Sequence, residues 1–155
     1  MKQFIVSLLL AASLVLFGCG TPSREVMLGS SAPPKSMSLA YLAPQIGNSP
    51  DMDARIQQEL KAHGVSIKPM PADVKNQQDA DLVVKYNDVW AWDIVMFLTS
   101  LNIYFFDAKS GDLIVTGSWH MSKHNVFQNN SSSRIIRELL DDMFSKISIS
   151  APINR

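Results

Sequence analysis

The sequence predicts an α/β (α+β) two-layer sandwich, built on a mixed sheet of about four or five strands. Three observations carry this. A strand–helix–strand run fills positions 37–69, an alternating strand pair between 98 and 121 flanks a Gly-containing loop, and the chain closes on a strongly amphipathic helix. The first run makes a β-α-β crossover with parallel strands, the second a hairpin, the third a helix with one face to bury.

Residues 1–18 stand apart from the domain. A basic start at Lys2 is followed by an apolar run from Phe4 to Phe17, interrupted only by serines, and then by Gly18-Cys19. That order is the n-region and h-region of a secretory signal ending at a small residue. The apolar run is too short for a spanning helix, which needs about twenty such residues, and Gly20-Thr21-Pro22-Ser23 ends it. Residues 19–36 (CGTPSREVMLGSSAPPKS) are rich in Gly, Ser and Pro, and read as a flexible tether.

The domain is expected over 37–148, with 149–155 as a tail. Met37 to Ala43 is the candidate first strand, stopped by Pro44 and Gly47-Asn48. Ser49 then stands as N-cap with Pro50 at the first helical position, and Asp51 and Asp53 lie at the positive end of the helix dipole. Met52, Ile56 and Leu60 form a thin apolar stripe, and His63-Gly64 supplies the stop. Val65-Ser66-Ile67 returns as a short strand, and 71–79 is a polar connection. Ala80 to Trp92 is the strongest strand signal: Leu82, Val84, Tyr86, Trp90 and Trp92 share one parity, and Lys85 and Asn87 the other. Leu98–Phe106 and Leu113–Met121 flank Asp107-Ala108-Lys109-Ser110-Gly111-Asp112, the hairpin loop. Positions 122–132 read as a polar mobile loop. From about Ser133 to Ile147, Ile135, Ile136, Leu139, Leu140, Met143, Phe144 and Ile147 form a stripe too apolar for an exposed helix.

Composition excludes some functions. Fourteen basic residues balance fourteen acidic ones, so no strong field attracts nucleic acid. One cysteine excludes a disulfide framework and a multi-cysteine metal site. His120 and His124 have the four-residue spacing of helical zinc ligands, but sit at a strand end without a third ligand nearby, and read as exposed histidines. Asp79, Asp81, Asp88 and Asp93 surround the Trp strand at spacings that fit no calcium loop. There is no G-x-S-x-G elbow, no S-x-x-K and no phosphate-cradling glycine loop. No catalytic set, metal or cofactor is therefore expected, and the chain is read as non-enzymatic. The local feature that stands out is Trp90-Ala91-Trp92-Asp93. Two tryptophans two apart either fill the core beneath the last helix or present a flat binding surface, with Asp93 beside them.

The tetrapeptide Leu16-Phe17-Gly18-Cys19 resembles the bacterial lipobox, with Phe17 bulkier than the residue usual in its slot. The resemblance implies cleavage between Gly18 and Cys19, and a diacylglycerol plus an amide-linked acyl chain on Cys19. Multiple chains give stable anchoring without a spanning helix. With Gly20 rather than aspartate after the cysteine, it further implies sorting to the outer membrane of a Gram-negative envelope. The order of lipobox, tether, crossover, "ADLVVKY", "LNIYFFDAKSGDLIVTGSW" and closing helix is similar to small envelope lipoproteins. These include the TolB amino-terminal domain, the curli-secretion lipoprotein and the lipoprotein activators of penicillin-binding proteins. Poorly characterised outer-membrane lipoproteins with a Trp-Asp pair, here Trp92-Asp93, resemble it further. The resemblance implies a lipid-anchored periplasmic module that binds an envelope protein. The alternative is a subunit of an oligomeric export or secretion ring, which adds a homo-oligomer to its partners. An envelope hydrolase is the weakest reading.

Overall fold

A computed structural model describes residues 22–43, 47–70, 79–121 and 131–150. The signal segment with Gly18, Cys19 and Gly20, most of the 71–79 connection, positions 122–130 with His124, and most of the tail lie outside the described residues.

Among these residues, six strands form a single mixed sheet. They are β1 (Ser23–Leu28), β2 (Leu39–Leu42), β3 (Ser66–Pro69), β4 (Leu82–Trp92), β5 (Met96–Asp107) and β6 (Leu113–His120), in the order β1-β6-β5-β4-β2-β3. Among the described residues, two helices, α1 (Pro50–Ala62) and α2 (Ser132–Ser150), complete the α+β sandwich. The crossover is as expected: β2 pairs parallel with both β3 and β4. The long hairpins β4–β5 and β5–β6 are antiparallel.

The sheet has one strand more than the sequence reading, and it lies inside the segment expected to be a flexible tether. Ser23–Leu28 pairs antiparallel with β6, from Ser23 opposite His120 to Leu28 opposite Val115. Its sequence hides it because only Val26 is even half-buried, as suits an edge strand. Arg24 is held by α2: Nη1 donates to Glu138 Oε2 at 2.6 Å, and Nε lies 2.7 Å from Asp142 Oδ2.

The core lies between the sheet and the helices. Leu82, Val84 and Tyr86 of β4, Leu101, Ile103 and Phe105 of β5, and Val115 and Trp119 of β6 face it. Met52, Ile56 and Leu60 of α1 close it from above, with Ile136, Leu139, Leu140 and Met143 of α2. Gly117 lets α2 come this close: a β-carbon there would sit 2.6 Å from Met143 Sδ and 2.9 Å from Leu139 Cγ. The helices are tied side by side. Arg137 donates through Nε and Nη2 to the two carboxylate oxygens of buried Glu59, each at 3.3 Å, and His63 stacks on Phe144 at 4.4 Å. Gly64, at φ +79°, turns the chain out of α1 in the left-handed region that glycine adopts freely.

The start of α1 departs from expectation in one respect. Ser49 has the extended backbone of an N-cap, but its side chain makes no capping bond. Instead the Asp88 carboxylate, reaching from β4, accepts the Ser49 N–H at 3.2–3.3 Å. A buried carboxylate at a helix N-terminus is favoured by the dipole as well as by the bond. This contact places the first turn of α1 level with Asp88, and leaves the strand beyond it without that helix overhead.

Candidate functional site

The four aspartates around the Trp strand do four separate things. Asp79 accepts a short hydrogen bond from the Tyr41 hydroxyl and one from Lys68 Nζ at 3.4 Å. The Tyr41 bond holds Asp79 below the usual carboxylate range and pushes the tyrosine up. Asp81 is pushed up by desolvation, but the N–H groups of Ser38 (2.8 Å) and Leu39 (3.1 Å) outweigh that and hold it low. Asp88 is buried, while Asp93 is exposed. Among the described residues, no three His, Cys, Asp or Glu side chains come together to hold a metal. His120 is exposed at the end of β6.

Trp90 and Trp92, equivalent by parity, have different fates. Trp90 is half-buried at the rim of the core, and its indole N–H donates to Asp88 Oδ2 at 2.5 Å. Asp88 therefore ties the base of the hairpin to the start of α1. Tyr86, two residues before Asp88, donates its hydroxyl to Asp53 Oδ1 at 2.6 Å, and burial pushes that hydroxyl well above its ordinary pKa. Trp92 does not fill the core beneath the last helix: it is 73% exposed.

Trp92 is one of a group. Ile94 is 86% exposed, and Val95 and Met96 are also exposed. These residues and Asp93 make the β4–β5 turn, closed by the Asp93 N–H donating to the Val95 carbonyl at 3.2 Å. A β-bulge just before it shifts the register between Val89 and Trp90, and the Thr99 hydroxyl donates to the Val89 carbonyl at 2.9 Å. Bulges bend and twist a ribbon away from its sheet. Scattered surface hydrophobes are ordinary, but four at one tip make a contiguous apolar projection. The sequence reading singled out Trp92 and Asp93 and missed Ile94, Val95 and Met96. The signal was present as an apolar run next to the Trp pair, but a run that short reads as ordinary buried strand.

At the opposite end of the sheet the surface is polar. Asp79, Asp81, Asp107, Lys109 and Asp112 cluster around the β5–β6 turn and the start of β4, where Asp107 accepts the N–H groups of Lys109 and Ser110 at 2.8 Å. Beside it, on the sheet face away from the helices, a hollow of about 320 Å³ is lined by Met70, Val83, Lys85 and Phe106, with Lys85 Nζ 5.1 Å above the Phe106 ring. The residues there form no nucleophile–base pair. No described helix is long and apolar enough to cross a membrane.

Sequence comparison finds no matching family and no matching curated relative. Structural comparison does find likenesses. A PelC dodecamer from Paraburkholderia phytofirmans superposes with a TM-score of 0.57 at 14% identity, covering 85% of this chain and 99% of that one. A singly substituted form of the same dodecamer superposes at 0.57 and 13% identity, covering 82% and 98%. TolB from Acinetobacter baumannii gives a looser likeness, with a TM-score of 0.44 at 8% identity over 81% of this chain and 32% of that one. The fold is thus one that a protein crystallised as a dodecamer also uses, from end to end.

Proposed function

We propose that the chain is a lipid-anchored, non-enzymatic assembly module of the Gram-negative envelope, working as a homo-oligomer at the outer membrane. The observation that carries the assembly part is the fold shared along 98–99% of a PelC chain whose crystals contain dodecamers. This fold also offers what a ring requires. A ring is built by a heterologous contact, so each subunit must present two different surfaces. The sheet ends on one side in antiparallel β1 and on the other in parallel β3. The anchoring part rests on Leu16-Phe17-Gly18-Cys19, and the outer-membrane part on Gly20. The lack of a catalytic role rests on the sequence, where no nucleophile elbow or phosphate loop is found.

The test is the state of the protein extracted from membranes in mild detergent. Crosslinking and light scattering are expected to give a closed oligomer of defined size, and Cys19→Ala is expected to release the protein from the membrane fraction. A strictly monomeric extract contradicts the assembly reading. Unchanged membrane retention of the Cys19→Ala protein contradicts the anchor.

A further inference from the structure

The pairing register gives the lipid anchor and the apolar hairpin a common direction. Ser23 lies opposite His120, His120 opposite Ser100, and Ser100 opposite Val89, so these four residues form one row across the sheet. The β4–β5 hairpin rises past this row, and its Trp92–Met96 pair stands three residues further on, roughly 10 Å at strand rise. β1 begins at Ser23, so its first residue lies at the same end of the sheet as the hairpin. Cys19 is four residues away, so an extended connection reaches at most about 13 Å. Sideways, β1 and β5 are separated only by β6, about 10 Å. The sulfur that would carry the acyl chains and the exposed hairpin tip can therefore reach the same plane.

From this we infer that the Trp92–Met96 hairpin is a second membrane contact, with its side chains set into the headgroup–acyl boundary of the leaflet that holds the lipid on Cys19. The inference rests on the lipid-anchor reading. Three features favour a phospholipid leaflet as occupant. The tip carries Trp92, Ile94, Val95 and Met96 with a single charge, Asp93. Trp is suited to the interface, with an apolar ring and an N–H that reaches water or headgroups. The projection is also a ridge of a few consecutive residues at a hairpin tip, a shape that enters a lipid boundary without a complementary protein groove. One acyl anchor fixes a point; a second contact fixes an orientation. With both engaged, the strands stand on the membrane and the Asp107–Asp112 turn points away from it.

The experiment uses the mature lipidated protein reconstituted into phosphatidylethanolamine–phosphatidylglycerol vesicles, with and without phospholipid brominated on its acyl chains. Trp92 emission is taken as the difference between the native protein and Trp92→Phe, which keeps the tip apolar and leaves Trp90 and Trp119 in place. Bromolipid is expected to quench that emission several-fold more than aqueous iodide does. Ile94→Ser with Val95→Ser is expected to reverse the preference, while thermal unfolding stays unchanged. If the protein floats with the vesicles but Trp92 is quenched by iodide, the hairpin stands in water and the inference fails, though the anchor survives. Protection from both quenchers places the tip in a protein contact and also overturns it. Protein that does not float with the vesicles fails the anchor and the inference together.

Discussion

Strand β4 is one strand with two environments. From Leu82 to Asp88 every second side chain is buried: Leu82, Val84, Tyr86 and Asp88. The same alternation carries on to Trp90 and Trp92, yet Trp90 is half-buried and Trp92 stands in solvent. Periodicity tells which side chains share a face; what covers that face decides whether they are core. Cover thins past the row where Asp88 receives the Ser49 N–H at the first turn of α1: Leu98, opposite Trp90, is still buried, and Trp92 is not. The hairpin is a projection because the helix ends, not because its sequence changes character.

The largest effect is expected from the covered half. Phe105 is fully buried beside Phe144, and Phe105→Ala should cost about 3–5 kcal/mol by denaturant unfolding. A cost below about 1 kcal/mol would mean that this layer is not packed as described. The junction comes next. Asp88→Ala leaves the Ser49 N–H and the Trp90 indole N–H without their acceptor, for an expected loss of about 1–3 kcal/mol. Hydrogen exchange should speed up at the start of α1 and the base of the hairpin together. Faster exchange at only one would separate the elements that Asp88 is said to join.

A smaller effect concerns the polar end. Asp81 is held low by the Ser38 and Leu39 N–H groups, so its contribution to stability is present above its unfolded pKa and is lost as pH falls through its depressed folded value. Asp81→Asn should therefore lower stability at neutral and alkaline pH, with the difference shrinking as pH falls through the acid limb, which it flattens. A variant that tracks the native profile through the acid range would contradict this. The smallest stability change is expected at the tip, where Trp92→Ser should stay within about 0.5 kcal/mol of the native protein, since Trp92 stands clear of the core.

The sequence was legible where local pattern and burial agree. The crossover, the β5–β6 hairpin and α2 follow from Pro50, the glycine turn and the stripe from Ile135 to Ile147, each backed by a core partner. It was not legible where the deciding contact is distant. β1 reads as tether because Arg24 looks like a solvated charge until α2, more than a hundred residues away, supplies Glu138 and Asp142. Trp92 is left open between core and surface for the converse reason: nothing local says that α1 begins only level with Asp88. Trp90, Trp92 and Asp93 stand out in the sequence by residue type alone; that Trp92 belongs with Ile94, Val95 and Met96 needed the hairpin to be seen.

The claim that the two ends of the sheet face different media is open to one direct measurement. With Cys19 taken up by the proposed lipid, a cysteine placed at Val95 or at Lys109 is the sole free thiol for an environment-sensitive fluorophore. In vesicles carrying the lipidated protein, the probe at 95 should emit as in an apolar medium and be quenched from within the lipid, and the probe at 109 should emit as in water. Equal, water-like emission from both positions would contradict the account.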